Sequence, residues 1–135
     1  LAGLAFSQTR TTACHSISYP LTMHYRIPHG AAVAMLLAPV LALNETAVDD
    51  PEALLAALGV QDAAMLQRRI SGLLLRSAQP ASLEGWGVLH SDLAHLASLG
   101  ITKGRADNNP VALTPECIES LLESIYQMNA VPCMR

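Results

Sequence analysis

The chain has 135 residues, of which 51% are hydrophobic but only 4% aromatic and 14% charged. That length supports one domain with a real core and not two. A formal net charge of −3 without any Lys/Arg block gives no electrostatic footprint for a nucleic-acid partner. The longest apolar run, residues 31–43, is interrupted by Pro39 and falls short of the roughly 20 residues of a membrane span.

A profile rich in Ala and Leu and poor in β-formers favours packed helices, and the chain reads as all-α. So little charge beside so much apolar content also suggests that something else covers part of the surface. Cys14, Cys117 and Cys133 are odd in number and unrelated in spacing, as expected of reduced thiols in a cytoplasmic protein. The opening residues Leu1 to Phe6 carry no initiator Met, no basic segment and no cleavage motif, and they are helix-prone from the first residue. The chain is therefore expected to be a piece of a longer protein.

Residues 1–25 are expected to form a helix weakened near Pro20, whose missing N–H and ring clash disturb a helix interior. Arg26-Ile27-Pro28 is a break, because the residue before a proline avoids helical torsions. Residues 29–43 form a strongly apolar helix in which Pro39 predicts a kink or a stop. After a turn over 44–50, Asp50-Pro51-Glu52 supplies an N-cap and a first-turn proline for a helix ending at Gly59. Residues 61–76 place apolar side chains at 64, 65, 66, 70, 73, 74 and 75, a broad inward face. A loop with Pro and Gly over 77–86 precedes a short helix over 91–99 that closes at Gly100. An irregular polar stretch, 101–110, leads to Thr114-Pro115-Glu116, the start of a last helix running to about Asn129.

His15 and His29 raise the question of a site. On one straight helix, fourteen steps of 1.5 Å would part them by roughly 21 Å, too far for one metal ion that holds its nitrogens at about 2.0–2.1 Å. Pro28 changes this by breaking the helix, so that the chain can turn back and His29 can face His15 from the next helix. Spacing alone leaves two readings open: half of a metal site, or a core histidine and a helix-start residue. Cys14 points away from its neighbour His15 and is not counted as a ligand. His24 and His90 have no partner at ligand spacing and read as structural.

The segment AGLAFSQTRTTACHSISYPLTMHYRIPHGAAVAMLLAPVLALN resembles a core stretch of the iron-containing (group III) alcohol dehydrogenases, through Ala5-Phe6, His15, His29-Gly30 and Asn44. The later GRADNNPVALTPECIESLLESIY is similar to that family's closing loop and helix, through Asn109-Pro110. The resemblance implies an incomplete C-terminal helical bundle, the N-terminal NAD(P)-binding domain being absent from residues 1–135. It also implies a divalent metal, Fe²⁺ or Zn²⁺, held by one Asp and three His, with His15 and His29 matching the last two ligands. The first two belong to a D-x-x-x-H helix turn that this sequence lacks; Asp92-Leu93-Ala94-His95 has another spacing and reads as a solvated helix face. In the family the metal polarises the substrate oxygen while hydride passes between nicotinamide and carbonyl carbon.

The resemblance carries further expectations. Tyr19 stands where many members have a proton-relaying histidine; a phenol still donates a hydrogen bond but relays protons poorly at neutral pH. Phe6 and Arg105 fall on the walls of the substrate mouth, where a guanidinium suits an anionic substrate; Arg10 and Arg26 could do the same or be solvated. The run TRTTACHSISYPLT is similar to the branch that reduces phosphonoacetaldehyde. A small alcohol or aldehyde is thus the implied substrate of the intact enzyme. This chain alone is expected to be inactive, to bind metal weakly, to bind no NAD(P), and to self-associate as a homo-oligomer through its uncovered face. The alternative is a free-standing helical module that self-associates and has no catalytic activity.

Overall fold

The computed structural model describes residues 3–4 and 11–127, and the described residues contain helices and no strand. Among the described residues six α-helices follow Thr12: α1 Ala13–Tyr25, α2 His29–Asn44, α3 Pro51–Ala57, α4 Ala63–Arg76, α5 Leu93–Leu99 and α6 Pro115–Ser124. Single 3₁₀ turns cover Glu45–Ala47, Glu84–Trp86, His90–Asp92 and Ala106–Asn108. The chain is all-α, as its composition leads one to expect.

Helix α2 is the centre of the bundle and packs against α1, α4 and α6, while α5 packs against α1 and α6. Its Ala31, Ala32, Met35, Leu36, Ala38 and Val40 are buried. Alanines at three of those places let neighbouring backbones approach closely, and Met35, Leu36 and Val40 fill the space beyond them. Ile17 and Leu21 of α1, Leu93 and Leu96 of α5, and Ile118 and Leu122 of α6 complete a core of fully buried side chains.

The caps work where the sequence places them. The Asp50 carboxylate accepts from Ala53 N at 2.9 Å, Asp62 accepts from Met65 N, and Thr114 Oγ1 accepts from Cys117 N at 3.2 Å. Each satisfies one of the orphan N–H groups of a first turn. Gly100 ends α5 with an ordinary helical φ of −69°. Its reason is space: a Cβ there would meet Ala97 O at 3.3 Å and the Ile118 side chain at 3.4 Å.

Four expectations need correction. Residues 11 and 12 are not helical, and α1 begins only at Ala13; the β-branched pair Thr11-Thr12 disfavours helical torsions, and Thr12 lies outside them at φ −120° and ψ −148°. Pro39 does not stop α2, which continues to Asn44. Its ring costs the bond to the carbonyl of Met35, but both flanking turns are held by buried contacts. With the helix uninterrupted, His29–Ala47 is long and apolar enough, by length and composition, to cross a membrane. That helix packs against three others. Finally α6 ends at Ser124, because the carbonyls of Ile125 and Tyr126 accept from Leu83 N and Glu84 N at 3.0 and 3.1 Å instead.

Candidate metal centre

The connection between α1 and α2 is three residues long. Arg26 closes α1 in the left-handed region (φ 55°), its N–H donating to Thr22 O at 3.0 Å. Ile27 is fully buried and anchors the reversal, and Pro28, extended at φ −52° and ψ 131°, launches α2 with His29 as its first residue. The chain therefore doubles back, and the His15 and His29 rings lie with centroids 5.4 Å apart and planes tilted by 57°. His15 is half-buried and His29 exposed.

Three further side chains join them. Tyr19, one turn after His15 on α1, has its ring centroid 5.7 Å from that of His29. The Arg105 guanidinium lies over the Tyr19 ring, 4.5 Å from its centroid, a cation–π arrangement. Ser18, buried on α1, donates from its Oγ to the His15 carbonyl at 3.0 Å and sits 3.3 Å from His29 Nδ1. Burial holds the His15 pKa below the ordinary histidine value, and the like charges of His29 and Arg105 lower it further.

Arg105 reaches this place because its loop is fastened at both ends. Ser16, fully buried beside His15 in sequence, donates to the Gly100 carbonyl and accepts from Thr102 N at 3.1 Å. At the other end Asn44 and Asn109, both buried, exchange two amide hydrogen bonds of 2.9 and 2.8 Å, and Asn109 also donates to Val111 O at 2.7 Å. The last residue of α2 is thus tied to the loop that carries the arginine.

Of the residues singled out by sequence, the structure brings His15, His29, Tyr19 and Arg105 into one cluster. Phe6 and Arg10 lie outside the described residues. Arg26 is exposed at the end of α1. The sequence reading missed Ser18, since nothing about a serine three residues after a histidine signals contact with a ring on the next helix. It also missed that His24 stacks edge-on against His95 at 6.1 Å, and that Tyr25 donates to Asp92. His90 pairs with Glu123 at 2.9 Å on the exposed surface.

The pair of imidazoles fits half of a metal shell. Two rings bound tetrahedrally at about 2.1 Å to one ion place their centroids about 5 Å apart, close to the 5.4 Å observed. Imidazole nitrogen suits iron and zinc alike. Among the described residues no group of three or more His, Cys, Asp or Glu could hold a metal ion, so any further ligands must come from elsewhere.

Residues 1–126 match the family model described as "Fe-containing alcohol dehydrogenase family, C-terminal". The chain belongs to the Fe-containing alcohol dehydrogenase family. It is 31% identical over 119 residues to 1,3-propanediol dehydrogenase of Citrobacter freundii, a match covering 82% of this chain and 31% of that one. Against phosphonoacetaldehyde reductase of Streptomyces viridochromogenes the identity is 30%, covering 94% of this chain and 34% of the relative. Among solved structures, a 1,3-propanediol oxidoreductase superposes with a TM-score of 0.70 at 25% identity, covering 85% of this chain and 32% of its own. The iron-containing alcohol dehydrogenase of Corynebacterium glutamicum gives 0.67 at 27% identity, covering 87% and 32%. The chain spans about a third of the length of the family members it matches.

Proposed function

We propose that this chain supplies the histidine half of a divalent-metal site and one wall of the substrate mouth in an NAD(P)-linked alcohol dehydrogenase. The observation that carries the reading is the convergence of His15 and His29, with ring centroids 5.4 Å apart, below an arginine stacked on Tyr19. His15 and His29 would hold Fe²⁺ or Zn²⁺ together with an aspartate and a histidine from polypeptide outside this chain. Bound there, the ion would polarise a carbonyl or alcohol oxygen as a Lewis acid. Hydride would move between the carbonyl carbon and a nicotinamide held elsewhere in the intact enzyme.

The chain's own residues set the substrate class. Arg105 presents a planar fork of donors that pairs two oxygens of a carboxylate or phosphonate at once. Its contact with the Tyr19 ring holds that fork beside the histidines, and the Asn44–Asn109 pair fixes the loop behind it. Tyr19 contributes a hydroxyl beside the metal, able to donate a hydrogen bond. A small anionic aldehyde such as phosphonoacetaldehyde fits this arrangement, and the relative from Streptomyces viridochromogenes bears the name of a phosphonoacetaldehyde reductase.

The described residues supply only half of the shell, so the chain purified and mixed with aldehydes, NAD(P)H and Fe²⁺ or Zn²⁺ should show no turnover. Metal-dependent turnover would overturn the half-site reading. In a chimera where this chain replaces the matching third of the Streptomyces reductase, Arg105→Ala should raise KM for the anionic aldehyde at least tenfold. It should leave KM for a neutral aldehyde within twofold. Equal effects on both substrates would remove the anion-binding role. A shallow apolar groove of about 330 Å³ between α2 and α4, lined by Ala31, Ala34, Ile70, Leu73 and Leu74, adjoins Pro28 and Gly30 next to His29. It supports the expectation that the chain alone self-associates.

A further inference from the structure

We infer that Ser18 sets the tautomer of His29, keeping the ring proton on Nδ1 and leaving Nε2 as the bare, electron-donating nitrogen. A serine hydroxyl has one proton to give and two lone pairs. The Ser18 proton goes to the carbonyl of His15, 3.0 Å away and one turn back on the same helix. Toward His29 Nδ1, at 3.3 Å, the hydroxyl oxygen can therefore act only as acceptor, which requires the hydrogen to sit on Nδ1. In a neutral imidazole the other nitrogen is then unprotonated.

The effect needs this particular fold. His29 is exposed, and an unconstrained histidine in water favours the opposite form, with its proton on Nε2. Ser18 is buried and cannot turn its hydroxyl to solvent. It links the backbone of α1 at His15 to the ring of His29, so a single hydroxyl holds that ring against α1. Metal-binding histidines are commonly oriented through the nitrogen that does not bind, and losing such a partner weakens binding by about 10–100-fold. The consequence for metal rests on His29 being a ligand; the tautomer assignment does not.

Long-range ¹H–¹⁵N NMR of the full chain, followed with rising pH until the ring signals stop moving, reads the tautomer directly. His29 should show the Nδ1–H form, and Ser18→Ala should convert it to the Nε2–H form while backbone amide signals away from the cluster stay in place. Removing one buried oxygen from a helix that retains its backbone ladder should not prevent folding. A wild-type His29 in the Nε2–H form, or an unchanged tautomer in S18A, overturns the inference. In parallel, Zn²⁺ competition against a chelating dye should show S18A binding at least tenfold more weakly than wild type. If the tautomer switches as expected but H29A leaves Zn²⁺ affinity unchanged, the ligand reading fails and Ser18 keeps its tautomer role.

Discussion

The buried pair Asn44–Asn109 invites a thermodynamic cycle. Each amide gives one hydrogen bond to the other and takes one from it, and Asn109 adds a bond to Val111 O. Asn109→Leu leaves the Asn44 Nδ2 and Oδ1 atoms buried without partners. Each unsatisfied buried group costs about 1–3 kcal/mol, so the single change should destabilise by about 2–4 kcal/mol after some relief from the side chain's slight exposure. Asn44→Leu should cost a similar amount, for the mirror-image reason. In the double variant no amide is left to be orphaned, and the Val111 carbonyl, half-buried, can turn to water. The double variant should therefore be less destabilised than either single one, with a coupling of about 2 kcal/mol or more. Urea unfolding of the chain followed by circular dichroism measures all four corners. Simple additivity of the two single changes would falsify the claim that the amides serve chiefly each other.

Three other outcomes can be checked on the same material. Burial pushes the Cys14 thiol up to about 11, so below that pH it stays protonated and should resist iodoacetamide at pH about 8, judged by peptide mapping; rapid alkylation in the folded chain would contradict its burial. Asp62→Ala removes the acceptor for Met65 N at the start of α4 and should cost about 1 kcal/mol in the same unfolding assay. Light scattering of the purified chain should show dimers or larger species; a single monomeric species at micromolar concentration would argue that the groove between α2 and α4 needs no cover.

Helix starts were the most legible part of the molecule. Asp50-Pro51 and Thr114-Pro115 declare themselves because an N-cap bond spans only three residues and depends on nothing distant. Helix ends were harder. Nothing near Ser124 says that the next two carbonyls bond to Leu83 and Glu84, about forty residues earlier. Pro39 was misweighed in a similar way: a local cost is visible in the sequence, but the packing that offsets it in α2 comes from α1, α4 and α6.

The candidate site divides along the same line. That α1 must break at Pro28 and that His29 must open a new helix follow from local torsional physics, and the family could be recognised from residues in linear order. How near the two imidazoles come, that Arg105 crosses about ninety residues of sequence to lie on Tyr19, and that a buried serine touches both histidines were decided by tertiary packing. The physical reason is range. Caps and proline breaks act through bonds a few residues long, which the order of residues states directly. Ring-to-ring and guanidinium-to-ring distances depend on where whole helices settle once their apolar faces are buried, and no short stretch of this chain records that.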